Sequence, residues 1–256
     1  TPCGTLFPYT TLFRSVLADV VRKVHACALI ANTVRAALYA APTARLTCLP
    51  FVWHMRDFWL SEGKPRYPWA DTILKRALCT AAIRVIANSD ATAQNLCCPR
   101  KTTVVYNGID VTRFDPTLDG ASFRQKFEIP HKFPLVGTVG RLRPWKGQDR
   151  FLRVLAQVSK ACPNVRGAIV GGASFGVADG YGASLCQQAQ DLHIEDRIIF
   201  TGQLDDPRSA LSAFDIFLHS GDPEPFGLVN VEAMAMGKPV IAFAHRALPE
   251  IVIENE

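Results

Sequence analysis

Residues 221–240 decide the fold: Gly221-Asp222-Pro223-Glu224-Pro225-Phe226-Gly227-Leu228-Val229-Asn230-Val231-Glu232-Ala233-Met234-Ala235-Met236-Gly237-Lys238-Pro239-Val240. Glu224 and Glu232 stand on either side of a predicted helix start, where Pro225 suits the first turn. Glu232 falls two turns inside that helix on an otherwise apolar face, so it needs a partner such as a ribose hydroxyl. The helix N-terminus also presents backbone amides that favour an anion, those of Phe226, Gly227 and Leu228.

Around this stretch the chain alternates short apolar runs with helical patterns, which is typical of a parallel α/β sheet. The second half predicts strands at Pro134–Val139, Gly167–Gly171, Arg197–Phe200, Asp215–His219 and Pro239–Phe243. Between them it predicts helices at Gln148–Lys160, Ala183–Leu192, Pro207–Ala213 and Phe226–Met236. The first half predicts strands at Leu46–Val52 and Ile83–Ile86, and helices at Val16–Ala28, Thr33–Ala40 and Ala70–Ala82. We therefore predict two doubly wound α/β domains.

Further candidate ligand-binding residues follow predicted strands, at the sheet edge where α/β proteins bind ligands. Gly140, Arg141 and Lys146 follow the first strand of the second half. An arginine fork and a lysine ammonium suit an anionic ligand, and a loop of solvated surface cations is the alternative. Gly171 and Leu204 lie at the ends of the next two strands and are candidates for lining the same ligand. The alternative is that they serve only as ordinary turn residues.

His54 directly follows the predicted strand that ends at Val52, so we expect it at the carboxyl edge of the first sheet. A histidine between Trp53 and Met55 is also compatible with ordinary core packing. The two interpretations stay open at this point.

The Glu-x7-Glu spacing within Pro-Glu-Pro-Phe-Gly, followed by Glu-Ala-Met-Ala-Met-Gly-Lys-Pro-Val, resembles the retaining GT-B glycosyltransferases of the family-four, or group 1, type. The resemblance covers residues 16–256 and implies two Rossmann-like doubly wound domains facing a cleft, the first of them incomplete. It implies transfer of a sugar from a nucleoside diphosphate sugar to an acceptor hydroxyl with retention, in a role such as cell envelope polysaccharide biosynthesis.

The same resemblance assigns roles to the candidate residues. Arg141 and Lys146 would clamp the donor diphosphate, Glu232 would bind the ribose, and Glu224 and His54 would contact the donor sugar. Gly140, Gly171, Leu204 and the amides at residues 226–228 would line the nucleotide. The partners would be the nucleotide sugar and a carbohydrate or lipid-linked acceptor, with no nucleic acid, no permanently bound cofactor and no metal.

One departure from the family pattern lies near the end of the chain. The usual pair of glycines before Pro-Glu-Ile-Val is replaced by Arg246 and Ala247. Arg246 would either add a phosphate contact or obstruct the loop, and both alternatives stay open.

The predicted domain boundaries follow from composition and from the extent of the resemblance. Within residues 1–15, the run Thr5–Ser15 resembles a frame translation of a sequencing adaptor, so we expect an artefact from assembled environmental reads. We predict a partial N-terminal, acceptor-side domain at 16–110, a polar linker at 111–132 and a C-terminal donor-binding domain at 133–256. Because the resemblance runs past both ends, we expect a fragment with weak donor binding and little or no activity.

Composition narrows the class of protein. The chain has 256 residues with 48% hydrophobic content and no apolar run long enough to span a membrane. Its eight cysteines lack Cys-x-x-Cys or zinc-site spacing, so we expect reduced, mostly buried thiols and a cytoplasmic protein. Residues 16–110 carry 12 Lys/Arg against 6 Asp/Glu, which suits an acidic acceptor, a polyanion or peripheral contact with the inner face of the membrane. The alternative is that this charge only aids solubility.

Three other functions compete with glycosyl transfer. A non-catalytic nucleotide-sugar binding fragment shares the same donor site. A sugar-nucleotide epimerase or phosphorylase shares the architecture but requires a different donor motif. A dehydrogenase is disfavoured because the chain lacks Gly-x-Gly-x-x-Gly with an acidic residue about 20 positions later.

Overall fold

The computed structural model describes residues 16–58, 68–172, 180–222 and 224–254. The chain divides into two compact units, Thr1–Asn107 and Gly108–Glu256. Each unit contains a parallel β-sheet, which confirms the predicted α/β class. Over the described ranges, no helix combines the length and the apolar character that crossing a bilayer requires.

The first unit has a four-stranded parallel sheet in the order β1-β2-β3-β4. Its strands are β1 (Leu29–Ala31), β2 (Phe51–Met55), β3 (Arg84–Ala87) and β4 (Thr102–Val104). Its helices are α1 (residues 16–23), α2 (Val34–Thr47), α3 (Pro68–Ala81) and α4 (Asp90–Gln94). Phe51, Trp53 and Met55 alternate along β2 and are fully buried, so β2 forms the centre of this core.

The predicted strand Leu46–Val52 is wrong over its first residues. Helix α2 continues through Pro42 to Thr47, and the strand begins only at Phe51. The alanines of α2 are strong helix formers, and those on its buried side lie in the core of this unit. This packing outweighs the hydrogen bond that proline removes from the helix interior.

The second unit has a five-stranded parallel sheet in the order β7-β6-β5-β8-β9. The strands are β5 (Leu135–Val139), β6 (Arg166–Val170), β7 (Ile198–Gly202), β8 (Ile216–His219) and β9 (Val240–Ala242). The helices are α5 (Ala121–Lys126), α6 (Gln148–Ala161), α7 (Tyr181–Asp191), α8 (Arg208–Ala213), α9 (Leu228–Ala235) and α10 (Leu248–Ile251). The five predicted strands and four predicted helices are confirmed, with shifted ends.

The strand order reverses between β5 and β8. From β5 the chain adds β6 and then β7 on one side, and it returns to place β8 and β9 on the other side. Ligands of open α/β sheets bind beyond the carboxyl ends of the strands at such a switch point. The loops that follow β5 and β8 therefore flank the expected binding crevice.

Residues 111–132, for which the sequence predicts a polar linker, include α5 and belong to the second unit. Phe123 and Ile129 pack in its core. The Arg124 guanidinium donates to the carbonyl of Ala213 at 2.9 Å and to Asp215 at 2.8 Å. The segment contains several glycines and prolines, and its helix has only six residues. The sequence pattern therefore indicates a connector although the segment is part of the folded unit.

The cysteine prediction is wrong in two respects. Cys79 and Cys98 form a disulfide, with Cα atoms 5.8 Å apart, instead of remaining reduced. Of the described free cysteines, only Cys162 is partly buried, while the others are exposed: Cys27, Cys48, Cys97 and Cys186. The pairing follows from the contact between α3 and the segment before β4, which linear spacing does not reveal.

Candidate functional site

The loops after β5 and β8 are fastened to each other by backbone and side-chain hydrogen bonds. The Asp222 amide donates to the Trp145 carbonyl at 2.7 Å, and the Ser220 hydroxyl donates to the Gly147 carbonyl at 2.8 Å. Arg150 adds an ion pair with Asp222 at 2.6 Å. The two loops therefore behave as one structural element at the switch point.

Gly147 makes this close approach possible. Its φ of +71° lies in the left-handed region, and a Cβ atom there would be 2.0 Å from the Ser220 carbonyl oxygen. Any larger residue would therefore strain the backbone and push the two loops apart.

Lys146 and Glu224, predicted as donor-binding residues from separate motifs, are brought together by these loops. Lys146 Nζ forms an ion pair with Glu224 Oε1, and their side chains are only 17% and 9% exposed. Lys146 Nζ also lies 4.6 Å from the centroid of the Trp145 ring. Each charge needs the other because an isolated charge at this depth is strongly disfavoured.

His219, the last residue of β8, lies behind Glu224. Its Nε2 is 4.0 Å from Glu224 Oε1, and its Nδ1 is 3.4 Å from Asn230 Nδ2. Burial lowers the pKa of His219, and the positive charges of Lys146 and Arg150 lower it further against the opposing effect of Glu224. His219 is therefore neutral near pH 7.

Helix α9 begins beside this cluster. It starts at Leu228, two residues later than predicted, because Gly227 has a left-handed φ of +88° and acts as its N-cap. Within the described part of the chain, no side chain caps this first turn. Phe226, just before it, is buried, and the first turn carries free backbone amides and the positive end of the helix dipole.

Glu232 lies on the second turn of α9 and is partly buried. Burial raises its pKa above the ordinary value of 4.5, while the positive charge of Arg113 acts in the opposite direction. A carboxylate in this position gains from hydrogen-bond donors supplied by a ligand. Its role on a ribose stays a prediction.

Gly140 and Gly171 meet where β5 and β6 end. A Cβ atom on Gly171 would be 2.0 Å from the Gly140 carbonyl oxygen, so only glycine fits there. Gly140 itself has room, since its nearest neighbour would be Lys146 Cδ at 3.6 Å. Neighbouring residues therefore do not require a glycine at position 140. The lack of a side chain there would matter only if a ligand approaches the backbone, as predicted.

Arg141 and Leu204 also lie beyond the strand ends. The Arg141 side chain is exposed, and its carbonyl accepts from Gln148 Nε2 at 3.0 Å. Leu204 is partly buried against the core of the second unit, and its carbonyl accepts from Gln203 Nε2 at 3.3 Å. Their contacts with diphosphate and base stay predictions.

His54 lies within β2 and not after it, because β2 extends to Met55. It is partly buried, and its pKa is lowered by burial and by the charge of Arg56. His54 belongs to the first unit, and its contact with a donor sugar stays a prediction.

Arg246 has a left-handed backbone with φ of +56°, at the position where the resemblance expects glycine. The backbone thus keeps the conformation that glycine favours, and the side chain adds a charge. In the described stretches, no group of three or more His, Cys, Asp or Glu is arranged to hold a metal ion.

Sequence reasoning missed two buried polar residues of the site, His219 and Asn230. A polar residue on the buried face of an apolar helix was the available signal for Asn230, and a histidine ending a buried strand was the signal for His219. Neither signal shows that the two side chains meet.

Comparisons with known proteins agree with this fold. The family of group 1 glycosyl transferases matches residues 119–256, and Glycosyltransferase Family 4 matches residues 1–113. The chain belongs to the group 1 glycosyl transferases, and its structural neighbours confirm the predicted GT-B fold class.

Two relatives illustrate the similarity. The lipopolysaccharide core biosynthesis mannosyltransferase LpsB of Rhizobium meliloti is 34% identical over 168 residues, which is 66% of this chain and 47% of the relative. A D-inositol 3-phosphate glycosyltransferase of Mycobacteroides abscessus is 33% identical over 203 residues, which is 77% of this chain and 44% of the relative. The chain thus spans about half the length of these relatives.

Among solved structures, Anabaena Alr3699/HepE in complex with UDP-glucose superposes with a TM-score of 0.82 at 31% identity. The superposition covers 98% of this chain and 67% of that protein. The same protein in complex with UDP and glucose gives a TM-score of 0.80 at 32% identity, over 93% of this chain and 65% of that one.

Proposed function

We propose that this protein transfers a sugar from a nucleoside diphosphate sugar to an acceptor hydroxyl, with the donor bound at the switch point of the second unit. The observation that carries this proposal is the convergence of Lys146, Glu224 and the N-terminus of α9 between β5 and β8. The UDP-glucose complex of the similar Anabaena protein makes a UDP-sugar the first donor to test.

The positive groups of the site suit a diphosphate leaving group. As the glycosidic bond breaks, negative charge develops on the phosphate oxygens. Lys146, the exposed Arg141 guanidinium and the amides that begin α9 are the donors that would stabilise this charge. We propose that these protein groups do so without a metal ion.

Glu224 is suited to orient the donor sugar. Its Oε1 is engaged by Lys146, while its Oε2 lies on the side of Gly227, where a Cβ atom would approach it to 3.7 Å. A carboxylate held in this way accepts hydrogen bonds from sugar hydroxyls with a defined geometry. Lys146 has three N–H donors on a flexible stem, so it can turn from Glu224 toward a phosphate of the bound donor.

The nucleoside would extend along the remaining candidates. Glu232 would accept hydrogen bonds from the ribose hydroxyls, which would offset its burial. The backbone at Gly171 and Leu204, beyond the next two strands, would border the base. Removing the ribose contact weakens binding of every nucleotide, whereas removing base contacts changes the preference among them.

We further propose that transfer retains the anomeric configuration. Glu224 already bonds Lys146, which suits orientation better than attack on the anomeric carbon. In a same-face displacement the acceptor oxygen bonds to the anomeric carbon, the bond to the donor phosphate breaks, and that phosphate takes the acceptor proton. Positioning and charge stabilisation then lower the barrier.

The acceptor is a carbohydrate or lipid-linked hydroxyl in this proposal, in line with the lipopolysaccharide core relative. A cytoplasmic reaction, with peripheral membrane contact through the basic first half, stays a prediction from composition.

Turnover with UDP-glucose and a panel of sugar acceptors tests the proposal, with NMR of the product giving its anomeric configuration. Product that keeps the donor configuration and disappears in Glu224→Gln supports it. Inverted product would contradict retention, and binding without any turnover would favour the non-catalytic binding function.

A further inference from the structure

His219 and Asn230 form a buried polar pair behind Glu224 that the roles above do not use. Asn230 is fully buried, and His219 is only 5% exposed. Within the described residues, His219 Nε2 makes no hydrogen bond, although it lies 4.0 Å from Glu224 Oε1. A buried donor or acceptor without a partner is costly, so this nitrogen requires an explanation.

The amide of Asn230 fixes which nitrogen of His219 carries the proton. Asn230 Nδ2 donates to the Gly227 carbonyl at 3.1 Å, and a carbonyl only accepts, so the amide nitrogen must face it. The second N–H of the same amide group then faces His219 Nδ1, at 3.4 Å. Nδ1 is therefore the acceptor, and the ring proton of the neutral imidazole resides on Nε2.

Gly221, two residues after His219 in the sequence, leaves space for the imidazole ring. A Cβ atom on Gly221 would be 3.2 Å from His219 Nε2, which is closer than ordinary packing allows. Glycine at this position therefore lets the imidazole edge face Glu224.

We propose that His219 is a positioning residue for Glu224, with its Nε2–H facing Glu224 Oε1 and bonding it when Lys146 turns toward the donor diphosphate. This inference rests on the proposed function of Lys146 and Glu224. Closing the 4.0 Å separation to a hydrogen bond of about 3 Å needs a shift of only about 1 Å. Glu224 then keeps a partner on Oε1 throughout binding, and Oε2 stays directed toward the sugar.

The charges around His219 are consistent with a neutral donor. Burial lowers the pKa of His219 most, and Glu224, Lys146, Arg150 and the backbone of Asp222 also act on the ring, with Glu224 and Asp222 opposing the decrease. A neutral Nε2–H supplies a hydrogen bond without competing with the diphosphate for the positive charge of Lys146.

The test measures the affinities for UDP and for UDP-glucose by calorimetry. The affinity ratio, that for UDP-glucose divided by that for UDP, isolates the contribution of the sugar contacts. His219→Leu keeps an apolar filling of the space but removes the donor. His219→Gln keeps an N–H near the position of Nε2 and is the matched control. We expect His219→Leu to lower the affinity ratio about tenfold while UDP affinity stays within about twofold, and His219→Gln to restore most of the ratio.

The outcomes separate this inference from the proposed function. If Glu224→Gln abolishes the sugar contribution but His219→Leu leaves it unchanged, the inference fails and the proposed function stands. If both His219 variants lose UDP and UDP-glucose affinity equally, His219 is a packing residue and the inference fails. If wild-type protein binds neither ligand, or Glu224→Gln leaves the ratio unchanged, the proposed function fails and takes the inference with it.

A second measurement needs no ligand. Nitrogen NMR of the histidine rings in wild-type protein should show His219 as the neutral Nε2–H tautomer, and Asn230→Ala should shift its population toward Nδ1–H. A ring protonated on Nδ1 in the wild type would overturn the inference.

Discussion

Replacing Gly147 with alanine should separate the two loops that carry Lys146 and Glu224. Gly147 has a φ of +71°, and an alanine Cβ would lie 2.0 Å from the Ser220 carbonyl oxygen. The left-handed backbone alone costs alanine about 1 kcal/mol. Relief of the clash requires the two loops to move apart further than the hydrogen bonds between them can stretch.

Separation of the two loops breaks two hydrogen bonds that connect them. These are the Ser220 hydroxyl to the Gly147 carbonyl at 2.8 Å and the Asp222 amide to the Trp145 carbonyl at 2.7 Å. At about 1 kcal/mol each, with the backbone strain added, Gly147→Ala should destabilise the second unit by about 3 kcal/mol.

Gly180→Ala is the matched control. Gly180 also has a left-handed φ, +78°, but a Cβ atom there would meet none of the described residues within 4 Å. It should therefore show the backbone cost alone, about 1 kcal/mol.

The assay is urea unfolding with hydrogen exchange read on peptides of β5 and β8, so that the second unit is measured separately from the first. A UDP titration of Gly147→Ala should also show affinity reduced by more than about tenfold, because Lys146 no longer meets Glu224. Equal destabilisation by the two alanine variants, or unchanged UDP affinity in Gly147→Ala, would refute the reasoning.

Three further predictions concern charge, pH and the disulfide. Lys146→Met should destabilise the second unit by about 3 kcal/mol because it leaves the charge of Glu224 buried without an opposite charge, and adding Glu224→Gln should restore part of that loss in urea unfolding. Because folding raises the Glu232 pKa, the folded state holds the extra proton. The free energy of unfolding should therefore fall as pH rises from 4.5 through the folded pKa, and Glu232→Gln should lack this dependence. Peptide mapping without reductant should recover Cys79 linked to Cys98, and the double serine variant should lower first-unit stability by about 3 kcal/mol for a loop of this length; recovery of both thiols free would contradict the pairing.

The sequence predicted the second unit well because its strands are apolar runs bounded by turns. All five strands, from β5 to β9, lie within a few residues of the predicted positions. The sequence could place Lys146 and Glu224 in one candidate site for a different reason, since they follow two strands whose carboxyl ends meet at one edge.

The remaining features depend on contacts between distant residues. His219 and Asn230 are 11 residues apart and meet only because β8 and α9 pack together. The pairing of Cys79 with Cys98 likewise depends on tertiary structure. The persistence of α2 beyond Pro42 reflects burial of its alanines, which overrides the local preference to end the helix.

The most direct test of the donor site is a calorimetric titration of the chain with UDP, GDP and ADP, repeated with Lys146→Met. We predict selective binding of one nucleotide and a loss of at least about tenfold in its affinity in the variant. A folded protein that binds none of the three, or a variant that binds as tightly as the wild type, would contradict the assignment of this switch point as the donor site.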